Sequence, residues 1–262
     1  MTINSYFDKV FCINLDRRTD RLQRVQAEAV RYGIQFERHV GAEPSRLTRK
    51  PLSTEERAAL VPFGPTLAGC PLEARPYGTM GTTLSHRMLL RKVAEGPWPR
   101  VLVLEDDFHV ITPKDKPGWF GNGLPDDFQA RFDLLASHVP GDWDVLYLGG
   151  GYGNPPLGRV DDYCLRVDLM LTTSSYGITR KYAEEWSNRT DEQERLHKEY
   201  DGTRYSAHIG LIDHMVSRWA REANHYAVQP RLMIQAADYS DATQRQESYV
   251  GSMTDEQHER LV

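Results

Sequence analysis

Glu105-Asp106-Asp107 sets three carboxylates directly after the apolar run Val101-Leu102-Val103-Leu104. Like charges this close push one another's pKa values up, and a divalent cation among them removes the penalty, because hard cations take oxygen ligands. Mg2+ or Mn2+ suits a site that also holds phosphate oxygens. In an extended chain Glu105 and Asp107, two residues apart, share a face and Asp106 points elsewhere, towards a sugar hydroxyl or a helix end. A bare acidic triplet is also readable as a solvated strand end with one carboxylate capping a helix, so its place on the fold has to decide.

Other groups carry chemistry of their own. Arg17, Arg18 and Arg21 follow the apolar run Val10-Phe11-Cys12-Ile13-Asn14-Leu15 at the head of a helical stretch opened by Asp16. Arg17 and Arg21, four apart, share a helix face. Cations there oppose the helix dipole, and an arriving diphosphate would reverse that penalty and take bidentate contacts. A solvated face paired with Asp16 and Asp20 is the plainer reading. Gly78 to His86, GTMGTTLSH, reads as a Gly-containing turn entering a helix that Thr82 or Thr83 caps, with backbone N–H groups able to hold a phosphate or sugar oxygen. It lacks the Lys of a phosphate-binding loop. Asp213, near a helix start, is a candidate general base on a hydroxyl or a first-turn complement to the helix dipole. Asp238-Tyr239-Ser240-Asp241 offers Asp241 as a last metal ligand, or turn chemistry. His208 and His225 are further candidates for that ligand.

Positioning these groups needs an α/β fold. Val10–Leu15 reads as a strand buried on both faces, followed by a helix in which Leu22, Val25, Ala29 and Val30 recur at helical spacing and Gly33 stops it. Phe36–Val40 completes a βαβ start. Residues 44–77 read as a long irregular insertion with one short helix over Thr54–Leu60. Then come a helix through Leu84, Met88, Leu89 and Val93, the strand 101–104, and a loop from Pro113 to Pro125 whose Trp119 and Phe120 suit stacking on a sugar. A helix over 126–137, strands near 145–148, 164–167 and 174–178, helices over 180–200 and 210–223, and strand character over 226–241 follow. Alternating strands and helices predict a mostly parallel sheet flanked by helices, with ligands off the carboxyl ends of the strands. That rule puts Asn14-Leu15-Asp16, the acidic triplet and Gly149-Gly150-Gly151 on one edge. Residues 1–243 are expected to form one domain, with 244–262 as a tail.

The 262 residues carry a net charge of -5, which argues against broad, charge-driven binding to nucleic acid or anionic lipid. Three dispersed cysteines, Cys12, Cys70 and Cys164, show no metal-ligand spacing and no disulfide framework, and a cytoplasmic setting is expected. The N-terminal apolar run is too short and too interrupted for a signal peptide, and no stretch approaches the roughly 18 apolar residues of a spanning helix. Contact with a membrane would then be peripheral, at its inner face. Oligomeric state is open.

Several segments, in order, resemble glycosyltransferase family 25, which includes lipopolysaccharide, lipooligosaccharide and collagen galactosyltransferases. They are VFCINLDRRTDRL, FERHVGAE, GTMGTTLSHRMLLRKV, VLVLEDDFHV, WDVLYLGG, SSYGITRKYAEEW, GLIDHMV and QAADYSDAT, spanning about residues 8–241. The resemblance implies a GT-A-type fold, a nucleotide-sugar donor, usually a UDP-hexose, a divalent metal, and inversion at the anomeric carbon. Carried over by position, it implies Glu105 and Asp107 for ribose and metal, Asn14, Leu15 and Arg17 along the nucleotide, and Ser85 and His86 at the donor sugar or in support of the site. Asp106 joins the donor-binding set with Arg21, and Asp107 with Asp241 forms the expected metal pair. The acceptor is a glycan or another hydroxyl; a modified base in nucleic acid is an alternative resting on Arg46, Arg49, Lys50 and Arg57. A nucleotide-sugar binding protein without catalysis is the other.

Overall fold

A computed structural model describes residues 1–43, 75–115, 123–197, 212–240 and 245–247. The insertion's helix over Thr54–Leu60, the basic residues Arg46, Arg49, Lys50 and Arg57, and Cys70, Trp119, Phe120, His208 and Asp241 lie outside the described residues, as does most of the tail.

The apolar run after Asp8 forms β1 (Lys9–Asn14), the following periodic stretch α2 (Thr19–Arg31), and the next run β2 (Glu37–Val40), after a first short helix α1 (Ile3–Tyr6). β2 pairs parallel with β1 from Phe11↔Glu37 to Asn14↔Val40, so the βαβ start is present. α2 begins three residues later than Asp16, with Arg18 at its N-cap. Arg17 therefore precedes the helix and shares no helical face with Arg21. The buried stripe of α2 is Arg21, Val25 and Ala29, each four residues on, while Val30 is exposed. Gly33, at φ +66°, ends the helix by taking the left-handed conformation, and Ile34 N–H then reaches the carbonyl of Ala29 at 2.8 Å.

α3 (Arg75–Glu95) is one continuous helix of 21 residues. Thr82 and Thr83 therefore sit in its interior and cap nothing; Thr82 Oγ1 donates back to the carbonyl of Gly78. The expected glycine turn over 78–86 is helix, its backbone N–H groups spent on the helix ladder, so no phosphate cradle forms there. β3 (Arg100–Glu105) follows, then β4 (Phe108–Val110), α4 (Phe128–Ser137), β5 (Val145–Tyr147), β6 (Gly151–Tyr152), β7 (Gly158–Asp161), β8 (Cys164–Arg166), β9 (Met170–Leu171) and β10 (Ser175–Thr179). α5 (Arg180–His197), α6 (Ile212–Ser217), β11 (His225–Val228), β12 (Met233–Gln235), β13 (Asp238–Ser240) and β14 (Arg245–Glu247) complete the described chain. The apolar stretch after residue 224 is thus broken into short strands.

Eight strands form the central sheet in the order β2-β1-β3-β10-β5-β11-β8-β7. β1, β2 and β3 are mutually parallel, β10 opposes β3 and β5, β5 and β11 are parallel, and β8 opposes β11 and β7. Six strands therefore run one way and two the other, the mostly parallel α/β sheet expected from the sequence.

Alternation along the strands divides the core. Val10, Cys12, Leu102, Leu104, Leu146 and Leu148 pack with Val25 and Ala29 of α2 and with Phe128, Phe132 and Leu135 of α4. Phe11, Ile13, Val101, Val103, Tyr147 and Tyr176 pack on the other face with Leu89, Leu90 and Val93 of α3, Trp186 of α5 and Val216 of α6. Each buried Val, Leu, Ile or Phe among them contributes about 1.5–3 kcal/mol. Both faces are thus closed by helices, and the strand ends are left to carry polar groups. Cys12 and Cys164 are buried free thiols. Among the described residues no helix is long and apolar enough to cross a membrane.

Candidate active site

β3 ends at Glu105, and Asp106-Asp107 turn before β4 begins. Alternation stops where the strand stops, so the triplet divides differently from the extended-chain expectation: Asp106 and Asp107 share one partner, and Glu105 stands apart from them.

Glu105 follows Val103 to the α3 face. Its Oε1 accepts from Thr173 Oγ1 at 2.6 Å and lies 3.0 Å from His86 Nε2. His86 Nδ1 lies 3.0 Å from the Tyr176 hydroxyl, against whose ring it stacks. Burial works to raise the Glu105 pKa, but the contacts with His86 and Thr173 outweigh it and hold the carboxyl below its ordinary value. Ser85, one residue before His86, donates to the carbonyl of Gly81 at 2.6 Å and accepts from Ala42 N–H at 2.8 Å, pinning the chain after β2 to α3.

Asp106 points to the α2 face. Its Oδ1 accepts from Arg21 at 2.7 Å and its Oδ2 from Asn14 Nδ2 at 2.7 Å. Asn14 also donates to the carbonyl of Arg18 at 3.0 Å and accepts from Arg38 Nε at 2.9 Å, so the end of β1 is a bracket between α2, β2 and the triplet. Burial raises the Asp106 pKa against the pull of Arg21 and Asn14.

Asp107 is 4% exposed. Its Oδ2 accepts from Gln235 Nε2 at 3.0 Å and lies 3.4 Å from the Arg21 guanidinium, while its Oδ1 is buried without a partner. Burial, with the neighbouring charge of Glu105, pushes its carboxyl up to about 7. β12 carries Gln235 across this edge; Met233 N–H bonds to Leu148 O at 3.1 Å. A Cβ on Gly149 would meet the Met233 carbonyl at 2.5 Å, so that crossing needs a glycine.

Arg21 is the hub. Besides Asp106 and Asp107, it donates to the carbonyl of Tyr239 at 2.7 Å, and its Nε lies 3.2 Å from Asp238 Oδ2, close but without hydrogen-bond alignment. Burial alone would lower its pKa; Asp107 and Asp106 more than compensate and raise it. Arg24 also binds Asp238, at 2.9 Å, which ties β13 over α2. Arg17 lies at the rim, half-exposed, 3.1 Å from Glu43 Oε1. Leu15, partly buried, turns the chain through an Arg18 N–H bond to its carbonyl.

Asp213 is in the first turn of α6. Its Oδ1 accepts from His214 N–H at 2.9 Å and its Oδ2 from Thr172 N–H at 3.3 Å. Since Thr173 binds Glu105, Asp213 and Glu105 are attached to consecutive residues. His225 is elsewhere: it opens β11 in register with Val145, at the amino end of the parallel strands, fully buried between Tyr147 and Tyr182. It is a core histidine rather than a third ligand. Among the described residues no three His, Cys, Asp or Glu side chains form a metal-sized group. Asp107 Oδ1 remains as a fitting oxygen, being buried, unpartnered and on a carboxyl whose charge is poorly compensated.

Sequence reasoning did not single out Thr172 or Thr173, and cited Tyr176, Gln235 and Asp238 only within their segments. The hydroxyl run Thr172-Thr173-Ser174-Ser175 before a strand was the available signal for the first two.

This arrangement can be set beside known proteins. Residues 7–114 match the model of glycosyltransferase family 25 (LPS biosynthesis protein). The match bears out the family resemblance over that part of the chain, and a transferase of sugar groups is the class it supports. The matched segment contains Asn14, Leu15, Arg17, Arg21, Ser85, His86 and the whole acidic triplet, while Asp213 and Asp241 lie beyond it. No curated protein matches the chain. Among solved structures, a glycosyltransferase involved in glycosylation of the major capsid of PBCV-1 is 13% identical, with 97% of this chain and 98% of that one covered and a TM-score of 0.39. The galactosyltransferase LgtC, in complex with donor and acceptor sugar analogues, is 12% identical over 97% and 94%, with a TM-score of 0.38. An LgtC active-site mutant is 15% identical over 80% and 70%, with a TM-score of 0.35. Likeness at that level carries no argument about chemistry.

Proposed function

We propose that this protein transfers a hexose from a nucleotide sugar, a UDP-sugar, to a hydroxyl of a glycan or similar acceptor, with inversion, on a GT-A-type domain formed by residues 1–243. The observation that carries the reading is the buried acidic edge at the end of β3, inside the segment that matches family 25. A carboxylate pair with one buried oxygen left unpartnered is costly for a fold to keep unless a ligand uses it. A divalent cation, Mn2+ or Mg2+, fits Asp107 Oδ1, with Asp241 as its companion, and would offset charge on the leaving diphosphate.

The chain's own groups divide the remaining work. Arg17, half-exposed at the rim beside Glu43, is the arginine placed to meet an arriving diphosphate; Arg21 is committed to Asp106 and Asp107. Asn14 and Leu15 line the nucleotide, with Asn14 held rigid by three hydrogen bonds. Glu105, kept ionised by His86 and Thr173, accepts from donor hydroxyls. Asp213, fixed by two backbone N–H groups, takes the acceptor proton as the acceptor oxygen attacks the anomeric carbon in line with the leaving diphosphate.

Asp213→Asn tests this division. It keeps shape and one acceptor oxygen but removes the base. Turnover is expected to fall by about a hundredfold or more, with donor affinity, read by thermal shift with the nucleotide sugar, nearly unchanged. Loss of donor affinity with turnover would assign Asp213 to structure instead.

A further inference from the structure

Thr172 is the non-glycine residue with positive φ among the described residues, at +63°. A β-branched side chain in that region is a true outlier, and such conformations persist only where the surroundings over-determine them. Here the surroundings are specific. Thr172 Oγ1 donates to the carbonyl of Leu171 at 2.5 Å, and its N–H donates to Asp213. On the other side the Leu171 and Thr172 carbonyls would lie 2.8 and 3.1 Å from a Cβ on Gly150, which is itself at φ +104°. Gly150 thus lets the strained turn approach closely.

The consequence is that two adjacent residues reach two different elements. With Thr172 left-handed, its N–H holds Asp213 on α6 while the next hydroxyl, that of Thr173, holds Glu105 at the end of β3. The geometry points to Thr172 as a positioning residue that sets Asp213 in register with Glu105, the bridge being the left-handed turn Thr172-Thr173. This deepens the transferase reading and rests on it: the proton acceptor and the donor-side carboxylate keep a fixed separation because one strained residue spans them. The bridge acts through the two carboxylates it holds.

Thr172→Val and Thr172→Asn separate this from a general packing role. Val keeps the β-branch and loses the hydroxyl that secures the left-handed turn, whereas Asn tolerates that conformation. In the full chain, Thr172→Val is expected to lower kcat by on the order of tenfold to a hundredfold with donor KM unchanged, and Thr172→Asn to restore most of it. Asp213→Ala supplies the second arm, which needs no turnover. Thr172→Val and Asp213→Ala should each lower the unfolding midpoint, and the double variant should fall no further than the lower single one. Additive midpoints overturn the proposal, whatever the activity; so does a Thr172→Val enzyme with wild-type kcat, or a Thr172→Asn enzyme as slow as Thr172→Val. A wild-type chain that turns over no nucleotide sugar would sink the transferase reading, and the midpoints would still decide the bridge.

Discussion

Replacing Arg21 with Met should cost about 3–5 kcal/mol of folding free energy, the usual penalty for removing one partner of a buried ion pair. The guanidinium sits between Asp106 and Asp107 with all three side chains less than a tenth exposed. Its loss leaves two carboxylates facing each other in the interior with Asn14 and Gln235 as their remaining side-chain donors. It also releases β13, since Arg21 holds the Tyr239 carbonyl. Chemical denaturation at neutral pH measures the cost. The paired change Arg21→Met with Asp106→Asn should recover a substantial part of it, because a neutral amide tolerates burial beside Met better than an uncompensated charge. A single-variant cost under about 1 kcal/mol, the range of surface ion pairs, would show that Arg21 is not the counterion of this edge.

The second large effect is on acid stability and comes from His225. Burial, with the nearby Arg166 cation, drives its pKa down to about 3, and neither ring nitrogen has a hydrogen-bond partner. The folded protein therefore keeps His225 neutral where the unfolded chain protonates it, below about pH 6.5. The unfolded state binds more protons in that window, so stability rises with pH through it and is lost as pH falls from about 6.5 towards 3. At about 1.4 kcal/mol per pH unit, the group removes about 2 kcal/mol between pH 7 and pH 5. His225→Phe, filling the same place between Tyr147 and Tyr182, should abolish that loss, seen as a gap between the two stability curves that widens with acid. Parallel curves would mean that His225 is solvated or paired in solution.

The same two residues show what sequence can and cannot reveal. Val10–Ile13 and Val101–Leu104 are apolar without a break, and such runs have few homes other than a two-sided sheet, so the fold class and the acidic edge were legible. Arg21 was read as a cation on an anion-facing helix surface. Its burial in the stripe Arg21-Val25-Ala29 depended on Asp106 turning towards α2, a fact fixed by strand termination at Glu105 rather than by spacing. Gly78 to His86 reads as a turn entering a helix because glycine is a weak helix former; packing of one long helix against the sheet overrides that propensity. His225 was indistinguishable from a ligand in a one-dimensional reading, because only register places it at the amino end of β11. For Thr172 and Thr173 the hydroxyl run before β10 is the signal the sequence holds, but the role of Thr172 lies in a positive φ that a threonine does not announce.

The central claim is that the buried acidic edge serves sugar transfer from a nucleotide donor. The most direct measurement is release of nucleoside diphosphate from UDP-hexoses by the full chain, with Mn2+ and again after chelation. The account predicts release with Mn2+, its loss on chelation and recovery when the cation is returned. No release from any nucleotide sugar in the presence of the cation, with the chain folded, would contradict it.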